Sequence, residues 1–296
     1  KAESLWHLYM SASNFLDRSV DEIRYHAAAD PAFFSRITAL IPAMTAGSAP
    51  APQGRFAASS PVATEDLRGF LEGLPQRYLN TRSPEQIAAQ FRLGQALRDH
   101  PVQVAFRALR QLNEVTLVTL DRPGLFADMA GVLSAWGMNI VKADAFSNAA
   151  GVSVDTFQFT DAYRTLELNT SEVDRFLQSI REALTHKVSV EQLMRSRNLK
   201  PARPRVAVDT RLEFDNDASS HSTLLQIVTQ DTPGLLREIA LSFTAARCNI
   251  AVALIDTEGE AAIDVFYLTK GGQKLDDAAQ ASLSASLMHR LAQLRP

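Results

Sequence analysis

Asp121-Arg122-Pro123-Gly124-Leu125-Phe126 is the stretch of sequence that decides the fold, because it returns at an offset of 110 residues as Asp231-Thr232-Pro233-Gly234-Leu235-Leu236. Residues on both sides of this turn also match. The further matching pairs are Val118-Thr119 with Val228-Thr229, Asn139-Ile140 with Asn249-Ile250, and Asp155-Thr156-Phe157 with Asp264-Val265-Phe266. The sequence therefore contains a duplicated unit of about 75 residues and is not a solenoid, which needs three or more stacked copies.

The hydrophobic pattern changes in the same order in each copy. A short apolar run, at 115–120 and at 224–228, indicates a buried strand that ends at the Asp-x-Pro-Gly turn. Apolar residues at helical spacing follow the turn, and two further strands and a second helix come after them. The order β-α-β-β-α predicts an α+β fold of two ferredoxin-like (βαββαβ) domains in tandem, preceded by a helical segment.

The fourth strand of each unit is the least defined element. In the first copy, residues 188–190 are the candidate closing strand. The second copy reaches the end of the sequence without a counterpart, so residues 206–214, just before its first strand, are the candidate substitute. The two units are predicted to pack side by side through strand edges or helices, because exposed sheet edges need to be covered.

The part of the chain before the first copy divides into helical and irregular segments. Residues 1–42 are predicted to be helical. Residues 43–64 are rich in Ala, Pro, Ser and Gly and are predicted to be a flexible insertion, which limited proteolysis would cut first. Ser83-Pro84-Glu85-Gln86 has the spacing of a capping box with proline at the first helical position, so it predicts the start of a helix.

Composition and charge narrow the class of protein. The 296 residues are 46% hydrophobic and carry a net charge of -3, which favours neither nucleic acid nor an anionic membrane surface as a partner. The apolar runs are much shorter than the ~20 residues of a spanning helix. Cys248 is the only cysteine, so no intrachain disulfide can form and a cytoplasmic location is expected. The chain begins without methionine or a signal-peptide profile, and we expect it to be an internal piece of a longer protein.

The repeated turn permits two interpretations. In the first it is only structural, since proline fixes φ at a helix start and glycine permits a tight turn. In the second the helix N-terminus offers backbone N–H groups and a favourable dipole to a carboxylate. Asn139 and Asn249 open the next strand of each copy, where an amide could hold the polar groups of an amino acid. Each asparagine is equally explained as a turn residue at a strand entry.

Catalytic patterns are sparse. The six histidines are scattered and have no metal-ligand spacing, and the sequence contains no glycine-rich phosphate loop. Asp215-Asn216-Asp217 has the carboxylate spacing of a two-metal nucleotidyl site, but it lacks the upstream Gly-Ser turn and is interpreted as a hairpin loop. We therefore predict no catalytic residue, no metal site and no cofactor in this chain.

The duplicated unit resembles the ACT domain, a small amino-acid-sensing module. The flanking residues are more specific: Leu74-Pro75-Gln76-Arg77-Tyr78-Leu79, Phe214-Asp215-Asn216 and Lys1-Ala2-Glu3-Ser4-Leu5 are similar to segments of the bifunctional uridylyltransferase/uridylyl-removing enzymes that modify the PII signalling protein. The resemblance implies the regulatory part of such an enzyme. Its nucleotidyltransferase and phosphodiesterase domains, with their expected magnesium, would precede this chain.

The resemblance implies a division of the chain and a set of ligand-binding residues. The implied regions are a helical tail of the catalytic part (1–42), the insertion (43–64), a helical connector (65–112), ACT domain 1 (113–192), a linker with an extra strand (193–221) and ACT domain 2 (222–296). The ligand-binding candidates are Asp121, Pro123, Gly124, Leu125, Asn139 and Ile140 with Asp231, Pro233, Gly234, Leu235, Asn249 and Ile250. In each turn the N–H groups would hold the carboxylate of an amino acid, the aspartate its ammonium, and an asparagine its side chain.

Two functions follow from the resemblance. The first is a sensor that binds glutamine or another free amino acid and controls the addition and removal of UMP on PII, and thereby nitrogen signalling. The second is an ACT module that senses nothing and serves dimerisation or PII docking, so that a homodimer stays open. Thr232 replaces the arginine common at this position of the turn, which predicts unequal affinity of the two sites.

Overall fold

The structure, a computed structural model, describes residues 64–110, 112–161, 164–196 and 206–294. A connector of three helices precedes the first unit: α1 (Thr64–Leu71), α2 (Gln76–Thr81) and α3 (Pro84–Gln95). The first unit and its linker comprise β1 (Val102–Ala108), β2 (Asn113–Leu120), α4 (Leu125–Ala135), β3 (Met138–Ser147), β4 (Val152–Asp161), α5 (Thr165–Leu168), α6 (Thr170–Leu184) and α7 (Val190–Ser196). The second unit comprises β5 (Arg211–Asp215), β6 (Thr223–Gln230), α8 (Leu235–Ala245), β7 (Cys248–Glu258), β8 (Ala261–Lys270) and α9 (Asp277–Ala292).

The strands form one antiparallel sheet of eight, in the order β1-β2-β4-β3-β7-β8-β6-β5. Each unit contributes four of them. The helices of both units share one apolar core, which includes Met129 and Phe176 of the first unit with Phe243 and Leu287 of the second. This architecture confirms the prediction of an α+β fold with two ferredoxin-like domains in tandem after a helical segment.

The edge strands come from the N-terminal side of each unit. The predicted closing strand at 188–190 is wrong, because β1 already occupies the place beside β2, and Val190 instead begins α7, where it is 5% exposed. The range 65–112, predicted as a helical connector, contains strand β1 after its helices. In the second unit β5 pairs with β6, so the predicted substitute strand at 206–214 is confirmed over residues 211–214.

The two units meet edge to edge along β3 and β7, which confirms the predicted side-by-side packing. Ala143 pairs with Ala253, and these two residues are counterparts in the 110-residue repeat. Lys142 pairs with Leu254, and Asp144 pairs with Val252. The offset of 110 residues relates Lys142 to Val252 and Asp144 to Leu254, so the repeat exchanges these two pairs. An approximate two-fold axis therefore passes through the Ala143–Ala253 pair and relates one unit to the other.

The connector packs on the sheet face opposite to the helices of the units. Leu71 and Phe91 of the connector share a small apolar core with Val118, Phe146 and Val154 of the first unit. The predicted capping box is present at the start of α3: the Ser83 side chain accepts from the Gln86 N–H, and the Gln86 side chain accepts from the Ser83 N–H. The connector is thus a fixed part of the first unit.

Some of the sequence predictions fall outside the described residues. These are the helical tail at 1–42, the flexible insertion at 43–64 apart from Thr64, and the part of the linker at 197–205. They stay predictions, as do the boundaries of the six regions.

Candidate functional site

The two Asp-x-Pro-Gly turns have the same backbone geometry. Gly124 and Gly234 both have φ of +83°, in the left-handed region that glycine adopts without strain. Each glycine begins its helix, and no side chain caps either helix. Leu125 and Leu235 donate their N–H groups to the carbonyls of Arg122 and Thr232, so it is the N–H groups after these residues that the turn presents, where an anion would be stabilised.

The first turn opens into a cavity of about 890 Å³, hereafter the junction cavity. It lies where β3 and β7 separate, because their pairing stops at Asp144 and Val252. Beyond that pair, residues 145–147 of β3 and 248–251 of β7 no longer pair with each other and line the cavity. The loop before β6, residues 217–222, lines it as well. The junction of the two units thus supplies a recess in front of the first turn.

The structure brings the first turn together with residues of the other copy. Asp121, Pro123, Gly124 and Leu125 line the junction cavity with Asn249 and Ile250. Asn139, Ile140 and the second turn, residues 231–235, do not line it. The cause is the antiparallel β3–β7 pairing, which places the end of β3 opposite the start of β7. The approximate two-fold axis accordingly places Asn139 with the second turn.

Two carboxylates face the junction cavity. Ser147 donates a hydrogen bond to Asp121, with an Oγ–Oδ2 distance of 2.7 Å. Ser153 donates to Asp155 over 2.6 Å between Oγ and Oδ1. Burial, reinforced by the nearby charge of Asp121, raises the pKa of Asp155 to about 7. A cation that enters the cavity would meet two acidic groups there.

Arg77 of the connector also lines the junction cavity and is only 7% exposed. Its Nη2 donates to the Ala251 carbonyl of β7, and its Nη1 lies 3.4 Å from Oδ1 of Asp144 on β3. The guanidinium carbon lies 4.6 Å from the centre of the Phe146 ring. Burial lowers the pKa of Arg77 to about 10, which leaves it cationic at neutral pH. Arg77 thus joins the connector to both strands at the point where they separate.

The second turn is covered by α7. A Cβ atom built on Gly234 would lie 2.7 Å from Cε of Met194, whereas one on Gly124 would have only Cγ2 of Thr244, at 4.0 Å. Asp264 occupies the position that corresponds to Asp155. Burial and the nearby charges of Asp231 and Asp256 raise the pKa of Asp264 well above its ordinary range. The two turns therefore have the same backbone conformation but differ in the side chains that lie in front of them.

The residues that sequence reasoning missed are Arg77, Asp155 and the two serines that hold the carboxylates. Asp155 and Asp264 carried a usable signal, since both copies keep an aspartate at this position of the strand. Arg77 of α2 has no counterpart in the second copy, so the repeat could not reveal it. The Asp215-Asn216-Asp217 stretch forms the predicted hairpin loop, where Oδ1 of Asp215 accepts from the N–H groups of Asp217 and Ala218.

Two searches of the described residues bear on other kinds of site. They contain no group of three or more His, Cys, Asp or Glu side chains placed to hold a metal ion. None of the helices described is both long and apolar enough to cross a bilayer.

Paired α+β units with an Asp-x-Pro-Gly turn at the start of each first helix define a protein of two ferredoxin-like units in tandem, the fold that the resemblance to the ACT domain predicts. Its sequence relatives are bifunctional uridylyltransferase/uridylyl-removing enzymes. The enzyme of Rhodopseudomonas palustris is 29% identical over 196 residues, which are 64% of this chain and 21% of that protein. The enzyme of Novosphingobium aromaticivorans is 35% identical over 60% of this chain and 20% of its own length. The enzyme of Phenylobacterium zucineum is 30% identical over 74% and 24%.

The chain spans about a fifth to a quarter of the length of these curated relatives. No protein-family model matches it. Among solved structures, aspartate kinase from Synechocystis aligns with a TM-score of 0.34 and 13% identity, over 62% of this chain and 28% of that one. The regulatory subunit of aspartate kinase from Thermus thermophilus aligns with a TM-score of 0.20 and 14% identity, over 64% and 98%.

Proposed function

We propose that this chain is the amino-acid-sensing region of a PII uridylyltransferase/uridylyl-removing enzyme, and that it binds free glutamine in the junction cavity. The observation that supports the proposal is the opening of the first turn into a recess that also holds Asn249 and two carboxylates. The volume of about 890 Å³ lies within the ~300–1,000 Å³ usual for small-ligand sites. The sequence relatives support the assignment of this region to a uridylyltransferase/uridylyl-removing enzyme.

The polar groups of the cavity match the parts of an α-amino acid. The N–H groups that follow Leu125 suit the carboxylate, because the helix dipole and donors without a side-chain cap both favour negative charge. Asp121 and Asp155 suit the ammonium group. The amide of Asn249 has a donor and an acceptor, as a glutamine side chain does, so it can bond that side chain in both directions.

The proposed signal passes from the cavity to the catalytic part of the enzyme through the connector. Arg77 supports this route, since it lines the cavity and belongs to α2. We further propose that the enzyme acts on PII in the cytoplasm, where the single cysteine, Cys248, would stay reduced.

Calorimetric titration with L-glutamine tests the proposal. We expect Asn249→Ala to weaken binding about ten- to a hundredfold, since it removes two hydrogen bonds between neutral amides, each worth ~0.5–1.5 kcal/mol. Asn139→Ala is the matched control, because Asn139 lies outside the junction cavity, and its affinity is expected to stay within twofold of the wild type. Thermal melts verify that both variants fold. No heat from glutamine at millimolar concentration, or equal affinity in all three proteins, would overturn the proposal and favour a dimerisation or docking module.

A further inference from the structure

The approximate two-fold axis predicts a second site, at the second turn. By that axis the second turn should face Asn139 as the first turn faces Asn249. Gly234 has the same φ as Gly124, so the backbone of the second turn is equally prepared for a ligand. The two turns differ in sequence at Arg122 and Thr232, and elements that the axis does not relate add a further difference.

Helix α7 is such an element. It follows the last helix of the first unit, and the described residues after α9 contain no counterpart of it. Met194 on α7 reaches the second turn, where its Cε lies 2.7 Å from the position of a Cβ on Gly234. Methionine is unbranched and flexible, which suits it to fill a recess of irregular shape. An apolar side chain thus stands where a ligand would approach the second turn.

Two contacts hold α7 in this place. Val190 is buried against Gly131 of α4, where any side chain larger than hydrogen would clash with it. Glu191 forms an ion pair with Arg237 of α8, which is itself 7% exposed. The contacts join α7 to the first helix of each unit, so Met194 is positioned by the core and not by a loose segment.

Two polar atoms of the second unit, one in the second turn and one near Asp231 of that turn, have no hydrogen-bond partner among the described residues. The Oγ1 atom of Thr232 and the Oδ1 atom of Asp264 are both buried without a hydrogen bond. Asp264 is 1% exposed and corresponds to Asp155, whose carboxylate in the open site accepts from Ser153. A buried polar atom without a partner costs ~1–3 kcal/mol. The second site therefore keeps polar groups suited to a ligand under an apolar cover.

We propose that Met194 occupies the second amino-acid site, so that the chain binds one amino acid, at the first turn, and a second only when Met194 is removed. This inference rests on the proposed function of the first site. It attributes the unequal affinity of the two sites mainly to helix α7, and the Thr232 substitution has a smaller part.

Counting the glutamine sites by calorimetry tests this proposal. We expect one site in the wild type and two in Met194→Ala, with Met194→Val as a milder variant that also removes Cε. Asn139→Ala, which is silent in the wild type, is expected to weaken the new site about tenfold or more in the Met194→Ala background. Leu193→Ala is the matched control on the same helix and is expected to keep one site. Thermal melts identify the variants that fold.

The outcomes separate this proposal from the function on which it rests. Two sites in the wild type, or one site in folded Met194→Ala and Met194→Val, would overturn the occupancy of the second site while leaving glutamine sensing intact. Failure of glutamine to bind to the wild type and to the variants would overturn both. Two sites in Met194→Ala that do not respond to Asn139→Ala would contradict the symmetric placement of Asn139.

Discussion

The buried charges at the β3–β7 junction give a stability prediction that can be worked from the structure. Asp144 is 3% exposed, and its carboxylate oxygens lie 3.4 Å from Arg77, 3.1 Å from Arg82 and 3.4 Å from Lys142. Asp144→Asn keeps the shape of the side chain and removes the negative charge that these three cations share. The cations then repel one another without compensation.

The expected loss of unfolding free energy is about 3 kcal/mol. Loss of one partner from a buried ion pair costs ~3–5 kcal/mol, because the remaining charge is left without compensation away from water. The side chains of Arg77 and Arg82 are only 9% and 8% exposed, so solvent screens their repulsion weakly. The asparagine oxygen can still accept a hydrogen bond from Arg82, which places the loss at the lower end of that range.

Urea denaturation at pH 7 measures this loss, with Asp66→Asn as the matched control. Asp66 forms an ion pair of 3.7 Å with Arg98, but the two side chains are 39% and 76% exposed, so we expect its removal to cost ~0–1 kcal/mol. Equal losses in the two variants would refute the argument that burial makes the Asp144 cluster a stabilising element.

The pH dependence of the same cluster has a definite sign. Burial alone would raise the pKa of Asp144, but the charges of Arg77, Lys142 and Arg82 outweigh it and hold the pKa below its ordinary value of 3.8. A lowered pKa in the folded state contributes stability above about pH 4 that is lost as the pH falls through the folded-state pKa. Asp144→Asn is therefore expected to flatten the acid limb of the stability profile.

Two further changes test other parts of the structure. The pKa of Asp155, about 7 against an ordinary 3.8, lets the folded state keep a proton that the unfolded state releases, so the free energy of unfolding falls as the pH rises from about 4 to 7. Asp155→Asn is expected to remove about 4 kcal/mol of that fall in urea denaturation, and an unchanged pH profile would contradict the assignment. Gly73→Ala is expected to cost about 2 kcal/mol, since Gly73 has φ of +78° and a Cβ there would lie 2.7 Å from the Ala149 nitrogen. Gly69→Ala, with open space around it, is the control in thermal melts and is expected to cost nothing.

The fold was predictable from the sequence because its main signals are local. Periodicity and the repeated turn each depend on residues that are close in the chain, and they identified both units. Strand β1 also had a local signal, since Val102, Val104 and Phe106 alternate with other residues at the strand period of two. The helical pattern of the neighbouring segment concealed this signal, and the strand was therefore not predicted.

The composition of the candidate site was not predictable in the same way. The turn residues and both asparagines were found, but the partnership of Asp121 with Asn249 depends on the register of β3 against β7. Register between strands so far apart in sequence is a tertiary property. Ala143 opposite Ala253 gives no sign of it in the sequence, since alanine is compatible with an edge pairing and with a helix-covered strand alike.

Duplication of a unit and pairing of its edges would give two equivalent sites, so a difference between them comes from side chains that the copies do not share and from the segments attached to the units. A different segment lies beside each turn. The connector precedes the first unit and extends Arg77 to the open cavity, whereas α7 follows that unit and extends Met194 to the second turn. Because Arg77 also contacts Asp144 and the Ala251 carbonyl, any ligand that changes the spacing of β3 and β7 changes the surroundings of a connector residue. Under the proposed function, the signal leaves from the open site, because Arg77 joins that site to the connector.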